Sequence, residues 1–127
     1  MTAQKISAWL AIVLSVIGAP LKVLRVLRQP EPLTSAAYDY IAIVILVIGA
    51  VMVLRKGPGL WLAAGWGFGC AMFYGSLGGH YWSLTHGAAD LGFERTMVTG
   101  DVIGLALNIV GLGLCLAGAR RELRAGA

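Results

Sequence analysis

The chain has 127 residues, and its composition is far more apolar than that of a soluble protein. Hydrophobic residues make up 58% of it and charged residues 13%, whereas a soluble domain has roughly 45–50% apolar and about 25% charged residues. The formal net charge is +4, but the basic residues are scattered along the chain rather than gathered on one face. These values exclude an ordinary soluble domain, give no support for nucleic-acid binding, and fit one domain by length.

Four apolar segments are long enough to cross a bilayer, which requires about 20 mostly apolar residues. They cover residues 6–24, 38–54, 58–79 and 97–119. Proline-containing and glycine-containing stretches, RQPEPLTS at residues 28–35 and RKGPG at residues 55–59, separate the first three segments and are typical of connections. The sequence therefore predicts an all-α integral membrane protein, a four-helix transmembrane bundle that forms a single domain.

The basic residues that flank these segments favour an orientation with both termini in the cytoplasm. One side then carries six of them: Lys5, Arg55, Lys56, Arg120, Arg121 and Arg124. The other side carries four: Lys22, Arg25, Arg28 and Arg95. Because three of these cations directly follow the first segment and oppose export, we expect that segment to be a retained helix rather than a signal peptide. The expected location is a bacterial-type cytoplasmic (inner) membrane, and the topology inverts if those three cations are cytoplasmic.

The fourth segment carries a seam of polar residues and glycines. Its heptad-spaced members form two sets: Asp101, Asn108 and Cys115, and Gly104, Gly111 and Gly118. Since lipid tails are as apolar as leucine side chains, small residues and hydrogen bonds are what hold membrane helices together. The third segment has a similar stripe that consists of Gly65, Gly69, Met72, Ser76 and Gly79. We expect tight packing among the first, third and fourth helices, and a peripheral second helix rich in Ile and Val.

Asn108 is the polar residue expected deepest in the membrane. An unsatisfied amide is costly there, so its side chain is expected to form a hydrogen bond with Ser15 or Ser76 on another helix. The alternative is that Asn108, Asp101 and Ser76 line a path for a solute or an ion. Asp101 has a further interpretation, because a carboxylate about one turn into the predicted helix is favoured by the helix dipole. The same dipole argument applies to Asp39 at the start of the second helix.

The stretch GGHYWSLTHGAADLGFERT, residues 78–96, concentrates ionisable side chains in an apolar chain. A single helix over residues 80–95 would place three of them on one face: His86, Asp90 and Glu94. With His80 as a fourth ligand, these groups are a plausible site for a divalent metal or a redox cofactor. Two glycines within the stretch argue against a regular helix, and a polar loop at the membrane interface is the alternative.

The sequence carries no catalytic motif. It has no GxSxG, no HExxH and no phosphate-binding glycine loop, and Cys70 and Cys115 lie in apolar segments without metal-ligand spacing. We therefore expect a non-catalytic protein that requires no cofactor: an accessory or structural subunit that packs against itself or against a larger membrane complex. The first alternative is a small-solute or ion transporter that acts as an oligomer, and the second is the metal or redox site in residues 78–96.

Overall fold

The computed structural model describes residues 2–28 and 33–126, with their side chains except at residues 28 and 33–36. This part of the chain forms four α-helices and contains no strand. They are α1 (Ala3–Arg28), α2 (Leu33–Leu54), α3 (Leu60–Thr85) and α4 (Leu91–Gly126). The predicted all-helical class is confirmed. Every helix extends beyond its apolar segment, and residues 29–32 of the predicted RQPEPLTS connection lie outside the described residues.

The helices follow one another around the bundle in chain order. α1 packs on α2 and α4, while α3 packs on α2 and α4, so α1 and α3 face each other across the diagonal. The prediction that α2 is peripheral is wrong. Gly49 of α2 lies against the backbone of Leu62 and leaves no room for a β-carbon, and Gly65 of α3 lies against Leu46, where a β-carbon would fit only tightly. Two glycines at one level are enough to bring the backbones of α2 and α3 together.

Trp66 fills the centre of the bundle, where its indole is fully buried. Its Nε1 donates a hydrogen bond to Ser7 Oγ at 2.8 Å, and Ser7 Oγ donates in turn to the Gly111 carbonyl at 2.7 Å. Gly111 leaves space for the ring, because a β-carbon there would overlap the indole. α1, α3 and α4 are thus joined at one level by two hydrogen bonds and one large side chain.

The outer surface of the bundle is apolar. Exposed residues on it include Val13, Val16, Ile17, Val44, Ile48, Ile103, Ile109 and Val110. Three of the described helical ranges are long and apolar enough to cross a membrane: Ala3–Leu27, Ala37–Leu54 and Leu91–Gly126. α3 is as long as α1, at 26 residues, but glycine, tryptophan and tyrosine dilute its apolar content. The chain is therefore an integral membrane helical bundle, in which composition supports three of the four predicted spans.

One end of the bundle gathers most of the basic residues. The start of α1, the α2–α3 turn and the last part of α4 meet there, where the Gln4 side chain contacts Gly59 and Gly118. We call this the basic end, and it carries Lys5, Arg55, Lys56, Arg120, Arg121 and Arg124. The six cations that the sequence places on one side of the membrane thus share one end of the fold. The α3–α4 connection lies at the opposite end.

Candidate functional site

Ionisable and polar side chains meet between the helices toward the end opposite the basic end. All four helices contribute: the end of α1, the start of α2, the end of α3 and the start of α4. We call this set the polar cluster, and its members are Lys22, Asp39, Ser76, His80, Glu94 and Asp101. Side-chain contacts join its members in three pairs: Lys22 with Asp39, His80 with Glu94, and Ser76 with Asp101.

The most deeply buried acid of the cluster is Asp101, which is 5% exposed. Ser76 Oγ donates a hydrogen bond to Asp101 Oδ2 at 2.8 Å across the α3–α4 interface. Because α4 begins at Leu91, Asp101 lies about three turns inside the helix, and the predicted role at the helix N-terminus is wrong. Asp90 has that role instead, since its Oδ1 accepts the N–H of Phe93 at 3.0 Å.

His80 and Glu94 form the second pair across the same interface. His80 Nδ1 lies 2.6 Å from Glu94 Oε2, and the two side chains are 19% and 15% exposed. The ring of Phe93 meets the imidazole edge-on, with centroids 6.0 Å apart. The pair forms because α3 continues to Thr85 while Glu94 sits in the first turn of α4. The hypothesis of a single helix over residues 80–95 therefore does not hold, and Gly87, with φ of 83°, lies in the connection between the two helices.

The four predicted metal ligands do not converge. His86 stacks on Trp82 with ring centroids 3.5 Å apart, and Asp90 caps α4. His80 and Glu94 are the two members of the set that meet. Among the described residues, no three His, Cys, Asp or Glu side chains are grouped so that they could hold a metal ion. The three residues that the sequence spaces on one helical face thus have different roles. His86 stacks on Trp82, Asp90 caps α4, and Glu94 pairs with His80.

The third pair, Lys22 with Asp39, links α1 to α2. The ammonium is 8% exposed and the carboxylate 29%. α2 begins at Leu33, so Asp39 lies in its second turn and finds a cation rather than the helix dipole alone. Asp39, His80 and Arg25 are all near enough to act electrostatically on Asp101. The charges of Lys22 and Asp39 balance each other at the α1–α2 interface.

Asn108 lies two turns from Asp101, toward the centre of the bundle. Its Nδ2 donates to the Gly104 carbonyl of its own helix at 2.7 Å, so the predicted bond to Ser15 or Ser76 is wrong. Its Oδ1 lies against Gly69. Within the described part of the chain, this oxygen and Ser15 Oγ are buried without a hydrogen-bond partner.

These contacts place the site at one end of a regular antiparallel seam between α3 and α4. From the centre outward the seam pairs Trp66 with Gly111, Gly69 with Asn108, Phe73 with Gly104, Ser76 with Asp101, and His80 with Glu94. The α4 side of this seam follows from heptad spacing in the sequence. The α3 side has matching spacing at residues 66, 69, 73, 76 and 80. Sequence reasoning placed Gly69 and Ser76 on this face but missed Trp66, Phe73 and His80. No signal in the sequence pairs Lys22 with Asp39.

Comparisons with known proteins identify no relative. No family model, no curated protein and no solved structure matches this chain. Its function is therefore argued from the polar cluster.

Proposed function

We propose that the protein is a small ion-translocating membrane protein that takes up a proton at Asp101. The observation that carries the proposal is the difference between Asp101 and the other two acids of the polar cluster. Asp39 and Glu94 each contact a basic side chain, whereas the buried Asp101 accepts a hydrogen bond from the neutral hydroxyl of Ser76. A buried carboxylate whose direct partner carries no charge is stabilised by gaining a proton or a small cation.

Asn108 and Ser15 extend this polar region toward the centre of the bundle. Their buried oxygens face the interior of a protein whose outer surface is apolar. Farther on, Trp66, Leu62 and Cys115 close the core completely. Passage toward the basic end therefore requires the α3–α4 seam to open or a second copy of the chain to complete the path, which is why we propose that transport involves an oligomer. The proposal needs no cofactor and no covalent chemistry.

The proposal also includes the orientation of the protein in the membrane. Six basic residues share the basic end, and basic residues near helix ends favour the cytoplasmic side. We therefore place both termini in the cytoplasm of a bacterial-type inner membrane, with the polar cluster toward the outer face. Uptake at Asp101 then begins from outside the cell.

Proton flux into liposomes tests the proposal. Purified protein is reconstituted with a pH-sensitive dye inside, and a potassium gradient with valinomycin supplies the driving potential. We expect wild-type flux well above that of empty liposomes and loss of this flux in Asp101→Asn, which keeps the shape and the bond to Ser76. Glu122→Gln is the matched control, because Glu122 lies exposed on the last part of α4.

Equal flux in wild type and Asp101→Asn would overturn the proposal. Asn108→Leu extends the test toward the centre of the bundle, where we expect reduced flux if the amide lines the path. If the flux depends on external sodium at constant pH, the transported species is a small cation rather than a proton.

A second candidate function is an accessory subunit, and a separate observation favours it. The outward face of α3 is unusually poor in large aliphatic residues, with exposed Tyr74, Gly75 and Gly78. A β-carbon at either glycine would meet nothing within 4 Å, so another helix has room to approach closely. Native mass spectrometry after extraction in a mild detergent checks this candidate. Partner chains or defined oligomers are expected, and a monomer alone would contradict it.

A further inference from the structure

We propose that His80, held by Glu94, is the group that delivers protons to Asp101. This inference rests on the proposed function and specifies the route by which protons reach Asp101. His80 lies one helical turn beyond Ser76 on α3, and Ser76 holds the Asp101 carboxylate. Residues four apart on a helix lie on the same face, about 5–6 Å apart at their β-carbons. A half-buried titratable pair therefore sits next to the buried acid, on the side nearer the end of the bundle.

One member of the pair, Glu94, faces open space. Glu94 lines a shallow depression of about 350 Å³ at the α3–α4 connection, together with Trp82 and His86. Asp101 is 5% exposed and lines neither this depression nor a second one beside Arg95. Within the polar cluster, a proton from the depression therefore meets Glu94 first, and His80 lies 2.6 Å behind it.

Imidazole chemistry suits this position. Histidine is the side chain whose ordinary titration range lies nearest neutral pH, and its two ring nitrogens allow it to accept a proton on one side and release it on the other. Nδ1 faces Glu94, which leaves Nε2 for exchange. The transfer balances simply: protonated His80 becomes neutral, the Asp101 carboxylate becomes a carboxylic acid, and the Ser76 hydroxyl or a water carries the hydrogen between them.

Charges on the other helices favour the same route. α1 presents Lys22 and Arg25 toward the cluster, and α2 presents Asp39, which pairs with Lys22. Arg25 on α1 opposes the approach of another positive charge from that side, while the charge of Lys22 is balanced by Asp39. The α3–α4 side presents an imidazole and a carboxylate instead. The fully buried Trp66 closes the core toward the basic end.

Two variants test this assignment. His80→Gln removes the proposed donor, while Glu122→Gln is the control at an exposed acid near the end of α4, away from the depression. In the liposome assay we expect His80→Gln to slow proton flux about tenfold or more and Glu122→Gln to match wild type. Imidazole added to the external buffer is expected to restore flux in His80→Gln, because it replaces the missing group chemically. A purely structural role for His80 would not be rescued this way.

A second measurement keeps this inference separate from the proposed function. Dicyclohexylcarbodiimide reacts with protonated carboxyl groups in membranes, and peptide mass spectrometry locates the adduct. We expect slower labelling of Asp101 in His80→Gln, with the same final extent. If His80→Gln keeps the wild-type flux and labelling rates, the proposed role of His80 is wrong. It is also wrong if His80→Gln loses flux that imidazole does not restore, and neither result contradicts the proposed function. Unchanged flux in Asp101→Asn would instead overturn the proposed function.

Discussion

At the scale of single residues, three aspartates show how position decides role. Asp90 caps α4, Asp39 pairs with Lys22, and Asp101 accepts a hydrogen bond from Ser76 while it is buried. The sequence offers the same carboxylate in each case. The distance of each residue from the start of its helix separates the three roles, because a helix N-terminus stabilises an anion only within its first turn.

Glycine positions give a prediction at the same scale. Gly111→Ala places a β-carbon in the Trp66 ring, and overpacking of this kind costs about 1–3 kcal/mol. We expect a matching loss in the free energy of unfolding, measured by titration with a denaturing detergent. Gly113→Ala is the control on the same helix, since a β-carbon there meets nothing within 4 Å. Equal stability of the two variants would show that the indole does not depend on the space at Gly111.

At the scale of elements, the α3–α4 seam changes character along its length. At the central level a tryptophan fills the space over a glycine, and toward the α3–α4 connection polar side chains pair across the helices. The apolar part keeps the helices in register, which sets Ser76 opposite Asp101 and His80 opposite Glu94. The close packing at the central part of the α3–α4 seam therefore supports the burial of ionisable groups at its outer part.

The hydrogen bonds around Trp66 give a prediction at this scale. Ser7→Ala removes the acceptor for the indole and the donor to Gly111, while Trp66→Phe removes the indole donor. A double-mutant cycle on the free energy of unfolding is expected to give a coupling of about 0.6 kcal/mol and at most about 1.7 kcal/mol, the average and the maximum found for hydrogen bonds between membrane helices. Ser83→Ala with Trp66→Phe is the control cycle and should show coupling near zero. A Ser7 cycle without coupling would contradict the role of these bonds in joining α1 to α3.

At the scale of the whole molecule, the order of the helices around the bundle fixes where the chain ends lie. The start of α1 meets Gly118 of α4 through Gln4, so the two ends of the chain belong to the same end of the fold. α3, which carries the buried Gly65, Trp66 and Gly69, packs between α2 and α4. Its neighbours thereby cover part of its surface.

Both termini are therefore predicted to face the same side of the membrane. A side-specific reporter fused separately to each terminus is expected to give the same signal, since four antiparallel helices return the chain to its starting side. A reporter inserted at Gly87, in the α3–α4 connection, should give the opposite signal. Opposite signals from the two termini would mean that α3 does not cross the bilayer.

The sequence by itself determined the membrane setting, the helical class and the spacing of the α4 seam. Its apolar composition requires lipid around it, and a bilayer requires backbone groups to be satisfied within each helix. Heptad spacing then revealed which α4 residues share a face, including Asp101 and Asn108.

The tertiary structure decided the helix limits, the neighbours of α2 and the partners of the ionisable groups. The start of α4 at Leu91 moved Asp101 from a helix end to the interior and divided residues 80–95 between two helices. Lys22 meets Asp39 and His80 meets Glu94 because α1 packs on α2 and α3 on α4. Such pairings depend on how helices are placed around one another, and the periodicity of a single segment carries no information on its neighbours.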